Sequence, residues 1–192
     1  MATKNHGSRM EIRLAGEGGQ GMILAGIILA EAAAIYDNKN ATQTQSYGPE
    51  ARGGASKAEV VISQGEIDHP EVIIADVLVA MSQEACDKYA GNVKKDGLLI
   101  IDQERVGRVP SSRAIKVPIT RLAQESSGKS ITANVVALGV LVGLTGVVSR
   151  EAIMRAVTAR APKGTDEMNK AALLAGFAAA DLVGKKHSTK AL

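Results

Sequence analysis

Apolar positions along the chain follow two rhythms. The first 120 residues alternate short apolar runs with helical ones, and the last third is helical throughout. Glu11–Ala15 is a short, partly apolar run before glycine, as expected of a buried parallel strand. Met22–Tyr36 reads as a helix charged only at Glu31, so both its faces are expected to be covered, and Asp37–Asn40 ends it. Ala41–Ser46 is a polar second strand. Ser56–Ser63 alternates as a third, and Ala75–Ala80 is a nearly continuous apolar strand. Gln83–Ala90 is a helix, Asp96–Asp102 a strand, and Ala114–Ile119 a last strand whose Pro118 suits a strand end or a sheet edge. Thr120–Ser126 forms a short helix. Then follow Ile131–Val148, Arg150–Arg160 with Ser149 as its cap, and a helix from about Thr165 to Val183. Strands alternating with helices, then helices alone, predict an α/β fold: a doubly wound, mostly parallel sheet with C-terminal helices. No repeat or linker divides it. One domain is expected over 10–183, with flexible tails at 1–9 and 184–192.

Ile131–Val148 is uncharged and contains Gly139-x-x-x-Gly143, a close-packing pattern of membrane helices. Its length is at the short limit for spanning, it carries Thr132, Asn134 and Thr145, and Lys129 and Arg150 flank it evenly. A helix buried in the domain or against a partner is the expectation, with no membrane association.

Only 2% of the residues are aromatic, so the core must be built from Ala, Val, Ile, Leu and Met, and base-stacking platforms are scarce. The net charge of +3 comes from the ends: without the five basic residues of the two tails the body stands at −2, which is not a nucleic-acid footprint. Cys86 is the only cysteine, which excludes an intrachain disulfide and an iron–sulfur cluster held by this chain alone. It reads as a small buried apolar residue. His6, His69 and His187 are too dispersed for a zinc site, so no metal is expected. Met1–Arg9 has no apolar run of a secretory leader, and a cytoplasmic location is expected. A hydrolase reading fails for want of a G-x-S-x-G elbow.

Two glycine loops carry the candidate chemistry. Gly16-Glu17-Gly18-Gly19-Gln20-Gly21 fits G-x-G-x-x-G between a strand and a helix, the context of a Rossmann-like turn whose helix N-terminus favours anions. A nicotinamide dinucleotide also needs an acid roughly 20 residues on. That region is NATQTQS, with no Asp or Glu. The turn is either anion-competent or simply tight under a packed helix. The second loop, SYGPEARGG (Ser46–Gly54), places Tyr47, Glu50 and Arg52 between Gly48-Pro49 and Gly53-Gly54. Arg52 could hold a phosphate or carboxylate, or pair with Glu50 on the surface. In a doubly wound fold both loops lie along one carboxyl edge of the sheet.

These residues resemble a family. GEGGQG, SYGPEARGG, DVLVAMSQEACDKY (Asp76–Tyr89), GLLIID (Gly97–Asp102) and NVVALG (Asn134–Gly139), in that order over about 10–180, are similar to the gamma subunit of the 2-oxoacid:ferredoxin oxidoreductases acting on pyruvate, 2-oxoisovalerate or 2-oxoglutarate. The resemblance implies oxidative decarboxylation of a 2-oxoacid, acyl transfer to coenzyme A and electron transfer to ferredoxin. Thiamine diphosphate, Mg and iron–sulfur clusters would sit on the partner alpha, beta and delta subunits, since this chain has no Gly-Asp-Gly signature and too few cysteines. The chain would not be active alone and would have no catalytic residue of its own. Gly16, Gly18, Gly19, Gln20, Gly21, Tyr47, Gly48, Arg52, Gly53 and Gly54 would face the other subunits and the coenzyme A channel. The wording is nearest to 2-oxoglutarate enzymes. The alternative is a free-standing nucleotide-binding or sensor domain.

Overall fold

The computed structural model describes residues 9–46, 55–110 and 113–188. Six strands form one sheet: β1 (Met10–Glu17), β2 (Asn40–Ser46), β3 (Ala55–Ser63), β4 (Ala75–Ala80), β5 (Val93–Asp102) and β6 (Ile115–Val117), in the order β2-β3-β1-β4-β5-β6. β1, β4, β5 and β6 run parallel, whereas β3 returns antiparallel between β1 and β2. Three of the five pairings are thus parallel. The α/β fold with a Rossmann-like, mostly parallel sheet and C-terminal helices is as expected, but the sheet is mixed. The β2–β3 hairpin inserted beside β1 is new.

Alternation along the strands sorts the core into two layers. Ile12, Leu14, Val77, Val79 and Ile100 point to one face, under helices α1 (Met22–Glu31), α3 (Ile119–Ser127), α4 (Ala133–Thr145), α5 (Arg150–Arg160) and α6 (Asp166–Ser188). Ala15, Leu78, Ala80, Leu99 and Ile101 point to the other, against α2 (Gln83–Tyr89). The poor alternation of Glu11–Ala15 now has a cause. Arg13 is buried on the α2 face, where its Nε donates to Glu59 Oε1 at 2.7 Å and its side chain to Val72 O at 2.6 Å. These bonds, with Lys57 Nζ also donating to Glu59 Oε1, compensate most of the burial, although Arg13 Nη1 is buried without a partner.

Helix ends follow local chemistry. Ser82 Oγ accepts from Ala85 N at 3.2 Å to open α2, and Ser149 Oγ accepts from Ala152 N at 3.0 Å to open α5, as its position suggests. The Met22–Tyr36 helix changes to a wider, π-helical turn over Ala32–Tyr36 before Asp37. Its coverage falls short of expectation: Leu24 is 42% and Ile35 65% exposed. The β5 strand begins at Val93, because the polar run Val93–Asp96 pairs through an irregularity in register opposite Ala75–Val77.

Ile131–Val148 is shorter than its apolar run. Residues Ser130–Thr132 form a 3₁₀ turn, and Gly146, at φ +61°, ends α4 after Thr145. At 1.5 Å per residue, 13 residues span about 20 Å, too short for a bilayer. No helix among the described residues is long and apolar enough to cross a membrane. α4 is buried, and its glycines press on α6. A Cβ on Gly139 would lie 2.4 Å from Leu173 O, and one on Gly176 2.3 Å from Val136 O.

Two expectations follow. Gly139→Ala should lower unfolding free energy by about 1–3 kcal/mol in urea titrations, because the obstructing atoms are backbone. The second concerns acid. Hydrogen bonding from Arg160 holds the Glu31 carboxyl below its ordinary value, against the opposing effect of burial. Burial would raise Asp37, but bonds from Ser149 Oγ and N, with Lys39 nearby, outweigh it and hold this carboxyl low as well. Depressed carboxylates stabilise the fold above their ordinary range, and that contribution is lost as pH falls through the lowered values. Stability should therefore be flat down to about pH 5 and then fall. Asp37→Asn should show a shallower acid limb.

Candidate functional site

The GEGGQG turn sits over the carboxyl end of β1. Gln20 is its centre. Gln20 N donates to Glu17 O at 3.2 Å, Glu17 N donates to Gln20 Oε1 at 2.8 Å, and Gln20 Nε2 donates to Met81 O at 3.1 Å, just past β4. The amide thus fills the mouth of the turn and links it to the next strand. Gly16 has to be small for this: a Cβ there would lie 2.3 Å from Gln20 Oε1. Gly21, the N-cap of α1, adopts φ +73°, and a Cβ would lie 2.6 Å from Asn134 Nδ2. Gly19 also has positive φ, whereas Gly18 has open space around it. Gly16, Gly18, Gly19, Gln20 and Gly21 therefore form one unit. Asn134, on α4, closes it from behind, donating to Gly21 O at 3.3 Å.

Tyr47, Gly48, Arg52, Gly53 and Gly54 lie outside the described residues, but both ends of their loop are fixed. Ser46 pairs with Lys57, and Ala55 with Glu17 beside the glycine turn. Ala55 N also donates to Glu84 Oε1 at 3.1 Å.

From β1 the chain crosses by α1 to β2, returns in β3 and then passes to β4 on the other side of β1, so the β1–β4 boundary is a topological switch point, where open α/β sheets form ligand crevices. A groove of about 250 Å³ lies there, lined by Gln20, Met81, Arg105, Thr120, Ser130 and Ile131 among others. Arg105 is exposed, and Ile131 is 73% exposed. The turn carrying Arg105 is set by Asp102, fully buried at the end of β5, which accepts from Thr120 N and Oγ1 and from Glu104 N. α1 and α4, which start beside this groove, have no side-chain cap, in contrast to α2 and α5. The groove is thus electropositive and partly apolar. Arg105, Thr120 and Ser130 were not singled out from the sequence. The available signal was position, since Met81 follows β4, Arg105 follows β5 and Thr120 follows β6.

Other chemistry is limited. Cys86 is buried with Sγ 3.9 Å from Arg108 O, and burial, helped by Asp87, pushes its thiol up, which makes it a poor nucleophile. Among the described residues no group of three His, Cys, Asp or Glu side chains could hold a metal ion. One cysteine cannot ligate an iron–sulfur cluster, so these residues do not fit a resident redox metal. A dinucleotide reading fails on topology. The neighbour of β1 on the hairpin side is antiparallel β3, which presents its amino end, Ala55 and Ser56, where a parallel second strand would present its carboxyl end and the ribose-binding acid.

Comparison with known proteins agrees with this architecture. A family model described as pyruvate ferredoxin/flavodoxin oxidoreductase matches residues 11–179. The chain is 52% identical over 173 residues to 2-oxoglutarate synthase subunit KorC of Methanocaldococcus jannaschii, covering 88% of this chain and 92% of that one. It also matches the crystal structure of the gamma subunit of a keto/oxoacid ferredoxin oxidoreductase from Geobacter sulfurreducens. That match has a TM-score of 0.82 and 49% identity, over 90% of this chain and 97% of that one. A 2-oxoglutarate:ferredoxin oxidoreductase from Magnetococcus marinus, solved with 2-oxoglutarate, coenzyme A and succinyl-CoA, shares the fold at TM-score 0.80 and 22% identity, over 91% of this chain and 31% of that one. The chain belongs to the pyruvate ferredoxin/flavodoxin oxidoreductase family, as a gamma-type subunit of a multi-subunit 2-oxoacid:ferredoxin oxidoreductase.

The glycines of the turn are expected to separate by role. Gly21→Ala should cost about 1–2 kcal/mol of stability in chemical denaturation, from positive φ and contact with Asn134. Gly18→Ala should stay within about 0.5 kcal/mol of the parent.

Proposed function

We propose that this chain is the gamma subunit of a 2-oxoglutarate:ferredoxin oxidoreductase that also contains alpha, beta and delta subunits. The complex would work in the cytoplasm, with residues 10–183 acting as one domain; against the expected tails at 1–9 and 184–192, α6 continues to Ser188 and Arg9 is bonded to Glu11 and His69 O. The substrate assignment is supported by a gradient of likeness: 52% identity to a 2-oxoglutarate synthase subunit, 37% to a ketoisovalerate oxidoreductase subunit and 29% to a pyruvate synthase subunit. The reaction converts 2-oxoglutarate and coenzyme A to succinyl-CoA and carbon dioxide, with two electrons passed to ferredoxin. Thiamine diphosphate, Mg and iron–sulfur clusters belong to the partners in this reading. This chain supplies binding surface and no reacting group.

The observation that carries the site is the common edge. The Gly16–Gly21 turn and both ends of the Tyr47–Gly54 loop meet at the carboxyl end of β1, beside a groove bordered by Arg105 and two uncapped helix starts. Such an edge suits an anionic, elongated co-substrate such as coenzyme A passing between subunits. In this reading Gly16, Gly18, Gly19, Gln20 and Gly21, together with Tyr47, Gly48, Arg52, Gly53 and Gly54, face the other subunits and the route taken by coenzyme A. In the reconstituted complex, Arg52→Ala should raise KM for coenzyme A several-fold with KM for 2-oxoglutarate unchanged, or else prevent assembly. Unchanged assembly and kinetics would remove Arg52 from the site. Turnover by the isolated chain would overturn the subunit reading itself.

A further inference from the structure

Of the arginines among the described residues, Arg105 alone has no partner for its guanidinium. Every other one is engaged by a carboxylate, a backbone carbonyl or an aromatic ring. Two acids stand close to Arg105 in sequence, yet both are engaged elsewhere. Asp102 is fully buried, and its oxygens accept from Glu104 N and from Thr120 N and Oγ1. Glu104 lies 3.5 Å from Arg121. Among the described residues, the groove of about 250 Å³ at the β1–β4 boundary therefore has one charge on its lining, that of Arg105, and no carboxylate. The cavity of about 240 Å³ at the amino end of β1 is different. Its two cations are satisfied within the chain, Arg9 by Glu11 and His69 O, and Lys39 by Asp37 and Val147 O.

The backbone that carries Arg105 is fixed. Arg105 N donates to Asp102 O at 3.2 Å, Val106 N donates to the same oxygen at 3.0 Å, and Gln103 N donates to Val117 O at 2.9 Å. Val106 is buried in the layer against α2. The turn thus holds an exposed cation at a set position in the groove, with exposed Ser130 and Ile131 on the same lining. A guanidinium fork matches two phosphate oxygens at once, and a turn fixed beforehand lowers the cost of that contact. A concave site at a topological switch point suits a small ligand better than a protein face.

Resting on the reading of this edge as the passage for coenzyme A, we propose that Arg105 is the phosphate anchor of the co-substrate. Its guanidinium binds a phosphate group of coenzyme A and sets the preference for a phosphorylated thiol over an unphosphorylated one. Coenzyme A offers two sources of this chemistry, the diphosphate bridge and the ribose 3′-phosphate. Ile131, 73% exposed, supplies apolar surface for the carbon framework next to the bound phosphate.

The test uses the reconstituted complex with whichever 2-oxoacid the parent turns over, so a wrong substrate assignment changes the assay and not the comparison. Arg105→Gln and Arg105→Lys are compared with the parent on coenzyme A, on 3′-dephospho-coenzyme A and on pantetheine, which has no phosphate. Arg105→Gln should raise KM for coenzyme A about tenfold, the loss expected for a charge-assisted contact. Assembly, thermal melt, KM for the 2-oxoacid and kcat/KM for pantetheine should match the parent. Arg105→Lys should lose less, because it keeps the charge and gives up the fork. An equal loss with 3′-dephospho-coenzyme A assigns the diphosphate, a loss confined to coenzyme A assigns the 3′-phosphate, and either supports the proposal. An unchanged KM for coenzyme A overturns it, as does an equal fall with pantetheine, which a structural defect would produce. Failure of Arg105→Gln to assemble also overturns it, by making a partner's carboxylate the occupant. A parent complex that turns over a 2-oxoacid without coenzyme A overturns the reading of this edge and the proposal together, whereas an active parent with an unchanged Arg105→Gln variant overturns the proposal alone.

Discussion

Everything in this molecule is arranged around β1. It is the one strand with an antiparallel neighbour on one side and a parallel neighbour on the other, and both pairings run close to its carboxyl end. Met81 N donates to Ala15 O at 2.9 Å, so the chain stays tied to β1 one residue beyond β4. That leaves no slack for the turn above it. The backbone must reverse within a few residues while Gln20 reaches across to Met81, and Gly16 is the position where any side chain would meet that amide. On the opposite face the same strand buries Arg13 against Glu59 of β3, with Tyr89 of α2 stacked 5.3 Å from the guanidinium. Severing that pair would strand a charge, which is why the hairpin, α2 and β1 hold their places together.

A core without aromatic bulk imposes a second constraint. Volume that a phenyl or indole ring would fill must instead be closed by bringing backbones together. α4 and α6 do this through Gly139 and Gly176, where backbone meets backbone, and through Gly143, which packs on the Ala180 methyl. Phe177, packed in the same crossing beneath Arg150, and Tyr89, in the layer against α2, are the buried exceptions. Close approach gains dispersion contacts at the cost of tolerance to any added methyl group. It also explains why α4 is uncharged throughout: ten of its consecutive residues are buried from Ala133 to Val142. A helix that looked suited to lipid is instead surrounded by protein.

Much of the architecture was legible because its periodicity is strong. Ala75–Ala80 and Arg150–Arg160 have the predicted bounds, and the Ser149 cap and the Gly139-x-x-x-Gly143 contact follow from residue chemistry. Strand direction was not legible. Nothing in Ser56–Ser63 distinguishes an antiparallel strand from a parallel one, because alternation reports burial and not polarity along the chain. The length of α4 was overestimated for a related reason: Gly146 stops the helix by backbone conformation, while Val147 and Val148 continue the apolar run into the core beyond it. The groove was half legible. Its glycine wall has a sequence signature, but Arg105 and Thr120 are joined only through Asp102, a carboxylate whose partners lie 2 and 18 residues away.

The glycine turn itself resolves a tension in the sequence. A G-x-G-x-x-G segment before a helix is built to receive an anion on free backbone N–H groups, yet here two of those groups are already taken, that of Glu17 by the Gln20 side chain and that of Gln20 by Glu17 O. The turn has therefore exchanged part of its capacity for rigidity. What remains open lies to the side, at the start of α1, and there the chain has withheld the serine cap that it uses at α2 and α5. At α4 the first turn is already partly satisfied, Ala133 N by Ser130 O and Val135 N by Asn134 Oδ1, so a partner or co-substrate would supply acceptors chiefly at α1. An anionic surface presented from another chain would be held best by such a site when it is rigid before contact, and the Gln20 bridge between β1 and β4 supplies that rigidity.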